Sequence, residues 1–101
     1  MVMDEVVCVL GNKISFTKER YIHITVRHPE LEGKEEEIVK TLKGADFVQK
    51  SFYDENVLLY YRNAPKKSYF VVVTKVLNNR GFIITAYIAD VIKKGEIVWK
   101  K

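Results

Sequence analysis

The chain has 101 residues, a formal net charge of +4, 48% hydrophobic and 30% charged residues. That length fits one domain able to bury a core without metal or disulfide staples. Cys8 is the single cysteine, which excludes an internal disulfide and a cysteine-based zinc site.

The opening Met1-Val2-Met3-Asp4-Glu5 is acidic where a secretory leader would be basic, and no apolar run approaches a membrane span. The expected location is the cytoplasm. Charge is unevenly spread. Residues 1–61 carry 8 Lys/Arg and 11 Asp/Glu, whereas residues 62–101 carry 9 Lys/Arg against Asp90 and Glu96 alone. A basic half on a small domain attracts polyanions such as RNA or DNA.

Glu5 to Leu10 is a β-branched, apolar run that buries Cys8 as a small hydrophobe. Gly11-Asn12 reads as a turn before a short return strand over Ile14-Ser15-Phe16. Thr17 is a helix N-cap with Glu19 in the first turn, and Pro29 is a stop. Between them, Tyr21, His23 and Thr25 alternate with Ile22, Ile24 and Val26, which is a strand period. The cap and the proline favour a helix over 18–28. A second helix spans Glu35 to Lys43, with Glu35, Glu36 and Glu37 at its start, Lys40 and Lys43 at its end, and Gly44 after it.

After Gly44 the period becomes that of strands. Asp46 to Tyr53, Val57 to Asn63, Ser68 to Leu77 and Gly81 to Ala89 are joined by short turns, so they pair antiparallel. Ile97 to Trp99 offers a last edge segment. The expected fold is α+β: two N-terminal helices packed on a four-stranded antiparallel meander, widened to five or six strands if the flanking segments join. Alternation places Phe82, Ile84, Ala86 and Ile88 on one face, with Ile83, Thr85 and Tyr87 on the other. The face away from the helices is expected to carry Lys75, Thr85, Tyr87 and Tyr61.

His23 and His28 are the only histidines, and Arg20 and Arg27 stand beside them. An imidazole titrates near neutral pH, and a guanidinium presents a fixed fork of donors to phosphate oxygens. This block is the leading functional candidate. A solvated helix end would carry the same residues.

The block His23-Ile24-Thr25-Val26-Arg27-His28-Pro29-Glu30-Leu31 is followed by Val57-Leu58-Leu59-Tyr60-Tyr61-Arg62, Tyr69 to Lys75, Gly81 to Tyr87 and Lys94 to Trp99. In this order the segments resemble the phage-type branch of the barnase–EndoU–colicin–RelE-like (BECR) nucleases, over roughly residues 17–100. The resemblance implies two helices followed by a four-stranded antiparallel sheet. It implies a metal-independent ribonuclease of the kind found in toxins and phage or mobile-element effectors, with RNA as substrate and an antitoxin or immunity protein as partner. No cofactor is implied. It maps His23, Arg27 and His28 to the helical part of the active site and Thr85 to the polar position of the last long strand. The chain departs from the pattern in lacking a central-strand glutamate of the kind barnase uses as base, so that role falls to a histidine.

Metal-free RNA cleavage needs a base for the 2′-hydroxyl, cations for the pentacoordinate phosphate, and an acid for the leaving 5′-oxygen. His28 and His23 suit the proton roles, and Arg27 suits the non-bridging oxygens. Lys75 adds charge from the sheet, and Thr85 offers a hydroxyl. Tyr61 and Tyr87 are candidates for base stacking. Arg62, Lys66, Lys67, Lys93 and Lys94 are candidates for flanking phosphates. Two other readings fit the same residues. One is a non-catalytic nucleic-acid-binding module, for which the basic half and the tyrosines suffice. The other is a protein-interaction domain that docks through its charge asymmetry or its first strand.

Overall fold

The computed structural model of the protein describes residues 5–101. In chain order the elements are β1 (Glu5–Val7), β2 (Lys13–Ser15), α1 (Lys18–Arg27), a 3-10 turn (Pro29–Leu31), α2 (Glu35–Lys43), β3 (Phe47–Ser51), β4 (Val57–Ala64), β5 (Ser68–Leu77), β6 (Arg80–Ala89) and β7 (Gly95–Lys100). All strands join one seven-stranded sheet in the order β1-β2-β6-β5-β4-β3-β7. The class is α+β, and β3 to β6 form the expected antiparallel meander.

The sheet differs from the expectation in width and direction. β2 runs parallel to β6, and the expected last edge segment, β7, pairs with β3. Three-residue strands such as β1 and β2 carry too little periodicity to announce either their partner or its direction.

Local chemistry decides α1. The Thr17 hydroxyl accepts the Arg20 N–H at 3.1 Å, and the His28 N–H closes the helix on the Ile24 carbonyl at 2.8 Å. Pro29 then opens the 3-10 turn. The cap and the proline prevail over the strand-like alternation because only Ile24 of this helix is buried, so the alternating apolar positions meet no sheet. The Tyr21 hydroxyl, which accepts the Gly33 N–H at 2.6 Å, ties the connection between the helices to α1.

The main core lies between the helices and one sheet face. Ile24, Leu31, Ile38 and Leu42 pack there against Val48, Tyr60, Val72 and Ala86. Cys8 is buried in it, and its sulfur accepts the Tyr60 O–H at 3.0 Å. Trp99 packs on its margin. A smaller cluster on the opposite face gathers Phe47, Leu59, Tyr61, Tyr69, Val71 and Tyr87.

The strict alternation expected of β6 fails at one residue. Val73 pairs with Thr85 and Thr74 with Ile83, so Ile84 has no partner across the ladder. This bulge reassigns the residues before it. Ile83 joins Ala86 and Ile88 at the helix-side core, and Phe82 turns outward to 45% exposure. Thr85 and Tyr87 keep the face expected of them, away from the helices.

Along β6, β2 pairs only with Arg80, Gly81 and Phe82. Beyond that point α1 and the 3-10 turn lie along β6 where another strand would pair. Arg20 Nη1 donates to the carbonyl of the bulged Ile84 at 3.4 Å. A helix laid along a strand edge presents its flank to the other side of the sheet, which brings the histidine block near Thr85. Among the described residues, no helix is long and apolar enough to cross a membrane.

Candidate functional site

Arg20, His23 and Arg27 recur at helical spacing and share one flank of α1. With Ile24 of the same helix, His28 at its end, and Ile84 and Thr85 from β6, they line a cleft of 420 Å³. His23 and Arg27 are exposed, while His28 and Thr85 are half-buried. His28 is the C-cap residue at φ −130° and ψ 73°, so its side chain leaves the helical path. The ring packs against Tyr87 with centroids 5.7 Å apart, and its Nδ1 lies 3.7 Å from a Glu30 carboxylate oxygen. That separation is too long for a hydrogen bond but close enough to orient the ring. None of the described residues lining the cleft is acidic.

Thr85 also lines a second cleft, of 530 Å³, on the open sheet face. Ser51, Tyr53, Tyr87, Lys93 and Lys94 border it with the apolar floor of Val57, Leu59 and Val73. Tyr87 bridges the two hollows. His28 packs on its ring, and Lys93 Nζ lies over that ring at 5.4 Å from the centroid. Among the described residues the buried Tyr87 hydroxyl has no hydrogen-bond partner, and its burial pushes the pKa up, so it is neutral at physiological pH.

The loop bearing Lys93 is fixed from beneath. Gln49 Nε2 donates to the Lys93 carbonyl at 2.9 Å, and the Lys93 N–H donates to the Tyr61 hydroxyl at 3.2 Å. This corrects the stacking role expected of Tyr61. Its side chain is fully buried, stacked on Phe47 at 4.7 Å and met edge-on by Tyr69 at 5.8 Å. Alternation gave Tyr61 the right face, but the neighbouring aromatics and the Lys93 loop cover it.

Arg62 is also displaced from its expected role. It sits on the helix side, where it pairs with Glu37, donates from Nε to the Thr41 hydroxyl at 3.1 Å, and stacks over Phe70 at 4.8 Å. The Arg62 guanidinium holds the Glu37 carboxyl below the usual carboxylate range. Lys75 shares the sheet face of Thr85 but pairs with Asp54 at 3.4 Å and lines neither cleft. Lys66 and Lys67 occupy the β4–β5 turn at φ 63° and 58°, and they too line neither cleft.

The clefts therefore gather His23, Arg27, His28, Thr85, Tyr87, Lys93 and Lys94, and leave out Tyr61, Arg62, Lys66, Lys67 and Lys75 from the walls. Arg20, noted beside the histidines in the sequence but given no role there, joins them on the spacing it shares with His23 and Arg27. Ser51 and Tyr53 had no comparable signal, because only the folded sheet brings the end of β3 opposite Thr85. Among the described residues, no three His, Cys, Asp or Glu side chains converge as a metal-ligand set. No protein-family model, curated protein or solved structure matches the chain.

Proposed function

We propose that the protein is an endoribonuclease that cleaves RNA by internal attack of the 2′-hydroxyl, without a metal ion. The observation that carries this reading is the cleft lined by two imidazoles, two guanidiniums and Thr85, with no acidic side chain in its lining. Such a hollow suits a phosphodiester, because the cations offset charge that grows in the transition state. One imidazole takes the 2′-hydroxyl proton, the 2′-oxygen bonds to phosphorus, and the other imidazole protonates the departing 5′-oxygen. Arg27 and Arg20 hold the non-bridging oxygens, and Thr85 donates to one of them. With Nδ1 of His28 turned toward Glu30, Nε2 is the nitrogen left for the substrate.

The resemblance to BECR nucleases adds the biological setting of a toxin or mobile-element effector, restrained by an antitoxin. A second reading is a non-catalytic RNA-binding module. The cleft of Tyr53, Tyr87, Lys93 and Lys94 favours it, since that hollow needs no imidazole to hold a nucleic acid. Incubation of mixed RNA with the protein in EDTA separates the two. The ribonuclease reading expects fragments ending in 2′,3′-cyclic phosphate. Tight, salt-sensitive binding with intact RNA favours the module instead.

A further inference from the structure

Two aromatic side chains near the site serve no role in the fold. Tyr53 is 96% exposed and Phe52 is 64% exposed, and neither belongs to a core cluster. Their rings stack on each other at 5.3 Å with planes 28° apart. The turn that carries them is anchored. Ser51 Oγ accepts the Tyr53 N–H at 3.2 Å, Asp54 Oδ1 accepts the Asn56 N–H at 2.9 Å, and Asp54 Oδ2 meets Lys75 Nζ at 3.4 Å. The aromatic pair is thus held out into water by a fixed turn rather than left on a loose one.

The surroundings are cationic. Tyr53 borders the cleft that also holds Lys93, Lys94 and Thr85. Phe52 borders an adjoining hollow walled by Ile92, Lys93 and Lys94 and by Glu96, whose charge Lys50 pairs at 3.2 Å. We infer that Phe52 and Tyr53 form a base-stacking subsite for a flanking nucleotide of single-stranded RNA, with Lys93 and Lys94 on the phosphates between that base and Thr85. This rests on the ribonuclease reading above and extends it to a substrate class. Flat π-faces alternating with cations suit an unpaired strand, whose bases are free to stack, and not a duplex, whose bases already stack on one another.

The test uses a fluorescent, non-cleavable 2′-O-methyl oligonucleotide of about eight nucleotides, read by anisotropy across a salt series. The doubly substituted protein, Phe52→Ala with Tyr53→Ala, is expected to bind about tenfold more weakly. The slope of affinity against salt should not change, because no phosphate contact is lost. Tyr53→Trp should retain the affinity, and the same oligonucleotide annealed into a duplex should compete poorly. The double variant should keep the wild-type circular dichroism spectrum, so that the lost affinity reports the aromatic pair and not the fold. Equal oligonucleotide affinity in wild type and double variant overturns the subsite and leaves the ribonuclease reading standing. A wild type that binds no oligonucleotide removes the ribonuclease reading and the subsite together.

Discussion

The imidazole of His28 lies against the ring of Tyr87, with centroids 5.7 Å apart and planes inclined by 35°. One residue ends a helix and the other stands in the sheet, so this contact fixes how the histidine block meets the strand that carries Thr85. Tyr87 presents its ring to His28 and to Lys93, while its buried hydroxyl has no partner among the described residues. The ring, not the oxygen, is the working part of this side chain. Tyr87→Phe is therefore expected to leave RNA affinity unchanged and to gain up to about 1 kcal/mol in urea unfolding, since a buried hydroxyl without a partner is removed. Tyr87→Leu should keep the fold but weaken both RNA binding and cleavage, because the flat surface under His28 is lost.

Tyr61 belongs to the smaller core and to the support of the Lys93 loop. Tyr61→Ala is expected to cost about 3 kcal/mol in chemical denaturation, as large-to-small changes of buried aromatics do. Tyr61→Phe keeps the stack on Phe47 but removes the acceptor for the Lys93 N–H, so it should cost about 1 kcal/mol. A fully stable Tyr61→Ala protein with impaired RNA binding would instead return this residue to the substrate surface.

The Glu37–Arg62 pair makes a pH-dependent contribution to stability away from the site. Arg62 lowers the Glu37 pKa below its ordinary value of 4.5. A depressed carboxylate stabilises the fold above the unfolded-state value, and this contribution is lost as pH falls through the folded-state value. Glu37→Gln should therefore be less stable than wild type at pH 7, by about 1 kcal/mol given its partial exposure. The gap should close in the acid range well below pH 4.5, and RNA cleavage per folded molecule at pH 7 should be unaltered. Urea midpoints across that range provide the measurement.

Much of this molecule is legible in its sequence where a local signal dominates. Thr17 and Pro29 delimit α1 although the residues between them alternate like a strand, because a cap and a stop act within one turn of the chain. The meander from β3 to β6 is legible from its turns. What escapes is set by distant partners. The Ile84 bulge is a shift in the pairing of β6 with β5, and it reverses the faces of Phe82 and Ile83. The burial of Tyr61 depends on a loop more than thirty residues away, through the Lys93 N–H. The parallel pairing of β2 with β6 joins residues more than sixty positions apart, Lys13 to Arg80 through Ser15 to Phe82.

For the candidate site, the spacing of Arg20, His23 and Arg27 indicates a common flank, and alternation indicates a common face for Thr85 and Tyr87. That the flank and the face meet follows from α1 lying along the edge of β6, a relation no short segment encodes. The basic side chains divide for the same reason. Lys93 and Lys94 reach the cleft through a loop, whereas Arg62 is drawn to Glu37 on the opposite face.

The central claim is that imidazoles at the α1–β6 cleft carry out proton transfer on RNA. Its most direct test is the single-turnover cleavage rate of one defined RNA in EDTA by wild type, His28→Ala and His23→Ala, with folding verified by circular dichroism. The expected result is a fall of roughly 10²- to 10⁴-fold for His28→Ala, a substantial fall for His23→Ala, and unchanged thermal stability. Cleavage by folded His28→Ala at the wild-type rate would contradict the claim and leave the cleft as a binding surface alone.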